Sequence, residues 1–359
     1  MEIINIVEYG AEKDSFHLQT FSIQRAIDAA SECGGEVIIP EGIFRTGSLL
    51  LRSGVTLHLR SGARLVGSDC CEDYQNYHIP TTLGYVDNPV WVKKWHLPDH
   101  YTNALITIAD AENVSIIGDE NSIIDGSNCF DGKGEEGFRG PMCIRVTRGK
   151  NIKLSGYHII DSANWAHQID GSSDVLIRNI TVSGGHDGVD FHHCSNCEVA
   201  DSVFETGDDC IAGYDNENIH VINCTFNTSC NSFRFGCKRL SVEHCSFVGH
   251  GKFPHRISGR HNTLYAFEYY AHAADTCRDS TDWSIRNCTF EGIDALIHYD
   301  YPNEYSLQMT APLRDVSFFD CYFSNILNRS VFTNRTDCDA SKIKFVNCTF
   351  DGCVEPFMR

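Results

Sequence analysis

The chain has 359 residues, 42% of them hydrophobic, and a formal net charge of −19 at pH 7. An acidic chain without a basic patch excludes nucleic acid and anionic membranes as expected partners, and it disfavours polyanionic substrates unless a local basic pocket binds them. The length exceeds what one ordinary globular core organises, so it predicts either two domains or one repetitive architecture that grows along an axis.

The N-terminal segment predicts one short helix. The opening stretch MEIINIVEYGAEKD has neither the basic n-region nor the apolar h-region of a signal peptide, so we expect a cytoplasmic location. Residues 20–33 form a predicted helix that should cap the exposed edge of the first strands, because Gly34 and Gly35 follow it. Its apolar residues have helical spacing: Phe21, Ile23, Ala26, Ile27 and Ala30.

Two segments interrupt the pattern of the chain, residues 69–103 and residues 250–281. Both are rich in aromatic and histidine side chains, and we predict that they are inserted loops. Loops of this size could close a substrate-binding groove.

A repeated strand pattern follows from about residue 174. It reads DVLIRNITV, NCEVADSVF, NIHVINCTF, RLSVEHCSF, DWSIRNCTF, DVSFFDCYF and KIKFVNCTF. The closing residues are Val182, Phe204, Phe226, Phe247, Phe290, Phe323 and Phe350. Their steps are 22, 22, 21, 43, 33 and 27 residues, which we interpret as a coil of about 22 residues, with 43 as about two coils and the last two lengthened by insertions.

Such a period predicts a β-solenoid with three short parallel strands per coil, since no strand here could bury its apolar face alone. The Asn-Cys pairs should form ladders at the corners, which explains 18 cysteines without disulfides.

The stretch TGDDCIA contains Asp208 and Asp209, and the period of 22 residues relates this stretch to Asp187 in the preceding coil. Asp187 and Asp209 are 22 residues apart, so they should lie in equivalent places on adjacent strands, about 4.8 Å apart. Asp208 would face the opposite side of a regular strand, but a bend at Gly207 could bring it round. Three neighbouring carboxylates repel one another and separate their pKa values, as an acid and a base require.

These motifs resemble those of the polygalacturonase family, glycoside hydrolase family 28. That family has an N-T-D-G-x-D stretch followed one coil later by G/Q-D-D-C, and this chain has HDGVD at 186–190 and GDDC at 207–210. The opening pattern and the stretch DSANWAHQID extend the similarity over most of the chain. The resemblance implies an all-β fold, a right-handed parallel β-helix, which we predict to be a single domain over residues 1–359.

The resemblance also implies inverting hydrolysis of a glycosidic bond in a pectin-related oligosaccharide. Asp208 would correspond to the general acid that protonates the leaving oxygen. Asp187 and Asp209 would correspond to the pair that holds and deprotonates the attacking water. Because inversion needs room for this water, we expect a wider carboxyl gap than in retaining enzymes. The two inserted loops favour exo action.

Two family motifs are changed in this chain. The place of the family's Gly-His-Gly is taken by Asn231-Ser232, while the Gly-His-Gly at 249–251 comes about one coil too late. The family's R-I-K stretch, which binds the substrate carboxylate, has its expected counterpart near 297–299, without the two cations. These changes favour a neutral or weakly charged sugar over galacturonate.

The candidates for substrate binding share an expected place on the catalytic face or in the 250–281 loop. They are His186, Trp165, Asn231, Arg234, His298, Tyr299 and Arg260. Arg256, and Glu268 with the tyrosines around it, are further candidates.

Other functions remain open from the residues alone. The C-x-x-C of residues 194–197 has no second ligand pair, so ladder cysteines explain it better than zinc, and we expect neither a metal nor a cofactor. A non-catalytic carbohydrate-binding or assembly β-helix is the main alternative to the hydrolase. A polysaccharide lyase is less favoured, because no basic residue is evident beside Asp208 and Asp209. The oligomeric state is left open.

Overall fold

The computed structural model describes residues 2–272, 274–299, 312–332 and 343–354. The chain divides into two compact units, Met1–Gly184 and Gly185–Arg359. Each is described in turn, and the predicted single domain over residues 1–359 stays a prediction. No helix within the described ranges is long and apolar enough to cross a bilayer.

The first unit contains two helices and the first fifteen strands. The helices are α1 (Thr20–Ser31) and α2 (Pro89–Trp95). The strands are β1 (Ile3–Asn5), β2 (Glu36–Ile39), β3 (Gly42–Thr46), β4 (Leu49–Leu51), β5 (Thr56–Leu59), β6 (Ala63–Gly67), β7 (Ala104–Ala109), β8 (Glu112–Gly118), β9 (Ile123–Asp125), β10 (Met142–Thr147), β11 (Lys150–Ser155), β12 (His158–Ile160), β13 (His167–Asp170), β14 (Ser173–Arg178) and β15 (Thr181–Gly184).

The strands of this unit stack in three parallel columns, as a three-strand coil requires. One column runs β1-β2-β5-β8-β11-β14, the second β4-β7-β10-β13 and the third β3-β6-β9-β12-β15. Buried aliphatic side chains pair with their equivalents in the next coil, as Ile106 does with Ile144.

Helix α1 caps the edge of the first coils, as predicted. It ends two residues earlier than the predicted 20–33 and buries Ile23, Ala26, Ile27 and Ala30, whereas Phe21 is exposed. The Gln24 amide accepts from Leu50 N at 2.9 Å and donates to Leu50 O at 3.0 Å. These bonds satisfy backbone groups of β4 that would otherwise form an open strand edge.

The predicted loop at 69–103 contains the short helix α2. Its Trp91 and Trp95 lie 4.8 Å apart, and Tyr85 packs edge-on against Trp95 at 5.1 Å. The aromatic side chains of this insert therefore form a small core of their own.

The second unit contains the remaining strands. They are β16 (Val189–His192), β17 (Ser195–Ala200), β18 (Val203–Thr206), β19 (Ile211–Ile222), β20 (Thr225–Thr228), β21 (Asn231–Glu243), β22 (Ser246–Val248), β23 (Tyr265–Tyr269), β24 (Thr281–Arg286), β25 (Thr289–Glu291), β26 (Ala295–Tyr299), β27 (Val316–Phe319), β28 (Tyr322–Ser324), β29 (Val331–Phe332), β30 (Lys344–Val346) and β31 (Thr349–Asp351). They again stack in parallel columns.

The repeated phenylalanines form one ladder in this unit. Phe204, Phe226, Phe247, Phe290, Phe323 and Phe350 pair in this order on the column β18-β20-β22-β25-β28-β31. Neighbouring rings lie 4.3 to 5.5 Å apart. Because Phe247 pairs directly with Phe290, the step of 43 residues is one enlarged coil, and the interpretation as two coils is wrong.

The corners of the coils explain the repeated Asn, Asp and His. Asp201, Asn223, His244, Asn287 and Asp320 all have positive φ, between 50° and 54°. Asn and Asp tolerate this left-handed conformation better than other residues with a Cβ. The following cysteines form the predicted ladder, in which Cys224 N lies 3.4 Å from Cys245 Sγ and Cys245 N lies 3.4 Å from Cys288 Sγ. The cysteines of the described ranges are all free thiols.

The predicted 250–281 loop is only partly a loop. Residues 265–269 form β23, which pairs with β21 on one side and β26 on the other. The insert preceding β23 is anchored on its own unit, since Thr263 Oγ1 donates to Thr228 O at 2.5 Å and Ser229 Oγ donates to Phe253 O at 2.5 Å.

Candidate active site

The predicted catalytic aspartates lie in turns of the second unit that enter stacked strands. Asp187 precedes β16, Asp208 and Asp209 precede β19, and Asn231 begins β21. Val189 pairs with Ile211, and Ile211 with Phe233, so the register of 22 residues is as predicted. The turns are themselves joined, because Gly188 N donates to Asp209 O at 2.9 Å and Cys210 N donates to Asn231 O at 3.1 Å.

The aspartates lie in bends rather than on the regular strands that we expected. The bend at Gly207 brings Asp208 round, and it depends on the missing side chain, since a Cβ at Gly207 would lie 2.5 Å from Pro254 O. Hydroxyls of Thr206 and Thr228 both donate to the carbonyl oxygen of Asp208 and fix the turn. The three aspartates therefore lie close together, and the turns that precede the strands bring them there.

The three carboxylates form one cluster. One oxygen from each of Asp187, Asp208 and Asp209 lies within 4.8 Å of the others. Asp187 Oδ1 accepts a hydrogen bond from Asp209 N at 2.9 Å. Asp209 Oδ1 accepts from both Asn231 N, at 3.1 Å, and Asn231 Nδ2, at 2.9 Å. Asp187 and Asp209 are buried, while the side chain of Asp208 is 16% exposed and presents more of its carboxyl to solvent.

The spacing of these oxygens does not test the expected carboxyl gap. Inverting glycosidases ordinarily separate their two carboxyl groups by about 6.5–9.5 Å and retaining enzymes by about 5–5.5 Å. The limit of 4.8 Å joins the nearest oxygens of the three residues and not the centres of their carboxyl groups, so the wide gap stays a prediction. The three acids are drawn together because they belong to adjacent turns that are joined by backbone hydrogen bonds.

The buried Asp209 has a strongly perturbed acidity. Burial and the neighbouring charge of Asp208 raise the pKa of Asp209 to about 7. Glu268 adds to this rise, whereas Arg234 and the hydrogen bonds from Asn231 oppose it. Asp209 therefore takes up a proton near neutral pH, far above the range of an ordinary aspartate, and perturbations of this kind cluster at sites of acid and base chemistry.

A row of polar side chains leads away from the cluster on successive strands. Arg234 on β21 pairs in register with Glu268 on β23, and Glu268 pairs with His298 on β26. Burial alone would lower the pKa of Arg234, but contact with Tyr270 and the charges of Glu268 and Asp209 raise it. Its guanidinium carbon lies 3.8 Å from the centroid of the Tyr270 ring.

Several predicted binding residues join this site. Asn231 bridges two acids, because its Nδ2 donates to Glu268 Oε2 at 2.6 Å as well as to Asp209. Arg260 lies nearby and donates to Ser229 O at 3.0 Å. His298 stacks on Tyr265 with ring centroids 4.5 Å apart and is 20% exposed.

Three other predicted binding residues are largely covered. Tyr299 is fully buried and stacks on Tyr269 at 5.1 Å, and its contact with a sugar stays a prediction. The alternation of a strand explains this burial, because Tyr299 follows the outward His298. His186 is 3% exposed. Trp165 belongs to the first unit, is 8% exposed and packs edge-on against Tyr101 at 6.0 Å, and its role as a stacking platform stays a prediction.

His255 lies beside the cluster, although no sequence motif predicted it. Its Nε2 lies 3.9 Å from Asp208 Oδ1, although 46 residues separate the two in the chain. The only signal in the sequence was its place in an insert rich in histidine and arginine. The insert has no coil period, so spacing could not place it.

Two groups of side chains among the described residues could hold a metal ion. One is the aspartate cluster, and the other is Asp208 with Cys230 and His255, whose donor atoms lie within 4.8 Å of one another. Arg260 Nη2 contacts Cys230 Sγ at 3.1 Å, a cation that opposes a second cation in the latter group. Cys194 and Cys197 belong to neither group. Cys197 pairs in register with Ile219 and Cys194 N donates to Asn216 Oδ1, so neither faces a cysteine of the next coil there.

Comparison with known proteins agrees with the motifs. Residues 87–229 match the sequence model of the glycosyl hydrolases family 28. The chain is 29% identical over 250 residues to an exo-poly-alpha-D-galacturonosidase of Dickeya chrysanthemi, an alignment that covers 58% of this chain and 41% of the relative. The chain thus spans less than half the length of that relative.

The fold is shared with proteins of different function. A polygalacturonase from Erwinia carotovora ssp. carotovora superimposes with a TM-score of 0.70 at 17% identity, covering 100% of this chain and 97% of that one. A surface adhesin of Streptococcus pneumoniae superimposes with a TM-score of 0.65 at 14% identity, covering 99% of each chain. At these identities the likeness concerns the fold alone, and it confirms the predicted right-handed parallel β-helix. The aspartate motifs and the match over residues 87–229 confirm the predicted resemblance, and the chain is similar to the glycosyl hydrolases of family 28 over that segment.

Proposed function

We propose that this chain is a glycoside hydrolase that cleaves a glycosidic bond in a pectin-related oligosaccharide. The observation that carries the proposal is the cluster of Asp187, Asp208 and Asp209, with an oxygen of each within 4.8 Å of the others. A β-helix that only binds sugar has no need to hold three mutually repelling acids in place.

The roles follow from exposure and hydrogen bonding. Asp208 is the most exposed of the three and can reach a glycosidic oxygen, so it serves as the general acid. Asp187 and Asp209 are buried and adjacent, and they hold and deprotonate water. Asn231 Oδ1 is buried and has no hydrogen-bond partner among the described residues, which leaves an acceptor for a sugar hydroxyl or a water.

We infer inversion from the pair of acids beside Asp208, because a double displacement needs only one nucleophile. The stereochemistry of the first product tests this inference directly. Proton NMR of the first anomer released during hydrolysis should show the inverted configuration. Release of the retained anomer would reject inversion and would identify one buried aspartate as a nucleophile.

The substrate proposed first is a galacturonide, as the name of the Dickeya chrysanthemi relative states for that protein. Arg234, Arg256 and Arg260 supply cations around the site, and the Arg256 side chain lies against the backbone of Gly185, two residues before Asp187. A neutral sugar is the second candidate, because Glu268 lies beside Arg234 and would repel a uronate.

One comparison separates the two substrates. Trigalacturonate and its fully methyl-esterified form have the same linkage but differ in charge. Faster cleavage of the acid supports a galacturonide, and faster cleavage of the ester supports the neutral sugar. Exo action predicts release of single terminal residues, whereas an early mixture of long fragments would contradict it.

Replacing the general acid tests the enzyme itself. Asp208→Asn should lower kcat by about 10²- to 10⁴-fold on unactivated oligosaccharides, with an unchanged circular dichroism spectrum. Asp187→Asn tests the alternative of a protein that only binds sugar. Such a protein would show no hydrolysis with or without the substitution, and its affinity for the sugar would not change. The cytoplasmic location and the absence of nucleic-acid and membrane partners stay predictions.

A further inference from the structure

His255 reaches the general acid from an insert that lies outside the repeat. The insert leaves β22 and returns as β23, and Lys252 Nζ contacts Glu205 Oε2 at 2.7 Å at its beginning. Within it, His255 N donates to Arg260 O at 3.0 Å and Gly259 N donates to His255 O at 2.8 Å. These two bonds close a tight turn that fixes the backbone from which the imidazole projects.

The tautomer of His255 follows from its neighbours. Ser258 N donates to His255 Nδ1 at 3.2 Å, and a backbone amide can only donate. His255 Nδ1 is therefore an acceptor, and the proton of the neutral ring is on Nε2. Ser258 Oγ also contacts Nδ1, at 3.0 Å.

The protonated nitrogen faces the catalytic acid. His255 Nε2 lies 3.9 Å from Asp208 Oδ1, and both side chains are mostly covered, with 12% and 16% exposed. The separation exceeds a hydrogen bond by about 1 Å, and such contacts are often long before a substrate binds. The Cys230 thiol completes this side of the acid.

A neutral donor suits an acid that must keep its proton. A lysine or arginine beside Asp208 would favour the ionised carboxylate and lower its pKa. A neutral N–H favours the ionised carboxylate less than a full positive charge does, and it can hold one oxygen while the acid proton stays on the other, aimed at the leaving group. Asn231 occupies the place of the histidine in the related family motif and contacts Asp209 and Glu268.

We propose that His255 is a positioning residue that donates from Nε2 to Asp208 and orients the acid proton toward the glycosidic oxygen. The inference rests on the proposed function of Asp208.

The test uses two variants and two substrates. His255→Phe keeps a flat ring without a donor, and His255→Gln restores a donor. His255→Phe should lower kcat about 10- to 100-fold on an oligosaccharide, whose leaving group needs a proton, with little change in KM. It should barely change hydrolysis of the matching 2,4-dinitrophenyl glycoside, and His255→Gln should recover part of the loss.

The controls separate positioning from folding. His250→Asn, at an exposed histidine of the same insert, should match the wild type on both substrates. An equal loss by His255→Phe on both substrates would show a merely structural role, and no loss on either would show no role. Both results overturn the proposal.

A failure of the hydrolase proposal can be distinguished from a failure of the proposal for His255. If the wild type cleaves no glycoside, nitrogen-15 NMR of the histidines still tests the contact. The proposal requires a neutral His255 protonated at Nε2, with an Nε2 resonance that shifts in Asp208→Asn. Protonation at Nδ1, or an unchanged resonance, overturns it.

Discussion

Replacing Asp209 with asparagine should stabilise the protein while it abolishes catalysis. The pKa of Asp209 is raised from its ordinary value of 3.8 to about 7 by burial and by the charge of Asp208. The folded state therefore binds a proton that the unfolded state releases, and ionisation of Asp209 costs folding free energy at neutral pH. An asparagine keeps an oxygen to accept the two hydrogen bonds from Asn231 and carries no charge.

The size of the effect follows from the shift of about 3 pKa units. At about 1.4 kcal/mol per unit, Asp209→Asn removes a penalty of at most about 4 kcal/mol above pH 7. Because Asp208 shares the titration, a gain of about 1–4 kcal/mol in the free energy of unfolding is the expected range. The gain should be largest at pH 8 and should be small near pH 4, where Asp209 is protonated in the folded state and about half protonated in the unfolded state.

Urea denaturation from about pH 2 to pH 8 measures this gain and spans the titration of both carboxyl groups. Asp215→Asn is a matched control with the opposite sign, since hydrogen bonds from His193, Cys277 and Arg278 outweigh burial and lower the pKa of Asp215. It should destabilise the protein at pH 7, and its loss should shrink as pH falls through the lowered pKa. A gain from Asp209→Asn that is independent of pH, or a loss at pH 8, would refute the reasoning.

Three further substitutions probe the turn, a buried ion pair and the core. Gly207→Ala should cut activity, because its Cβ would displace Pro254 and the insert over the site, and an unchanged rate would contradict this. His193 has its pKa raised to about 9 by two carboxylates that outweigh burial, so it stabilises the fold fully below about pH 6.5 and loses this effect as pH rises through 9. His193→Gln should therefore lower the unfolding free energy by about 2 kcal/mol at pH 6 and much less at pH 10, and equal losses at both would disprove the charge effect. Phe247→Ala should cost about 3–5 kcal/mol at any pH in urea denaturation, since it removes a fully buried ring from the ladder, and a cost below 1 kcal/mol would contradict that packing.

Local patterns predicted the repeating parts of the fold well. A period of 22 residues placed Asp187, Asp209 and Asn231 in adjacent turns, because each regular coil must stack on the one before it. The period gave a wrong prediction where a coil carries a long insertion. The 43-residue step from Phe247 to Phe290 was interpreted as two coils, but the two residues pair directly in adjacent coils. A sequence does not show whether extra residues form another coil or a loop inserted into an existing one.

The sequence by itself determined the regular coil, the cysteine ladder at its corners and the register of the acids, because each depends on residues within one or two coils. Only the tertiary structure decided which polar groups meet around those acids. It placed His255 beside Asp208, Glu268 between Arg234 and His298, and Tyr299 in the core. The path of an insert is set by what it packs against, and the direction of a side chain by the strand on which it lies, so neither follows from spacing along the chain.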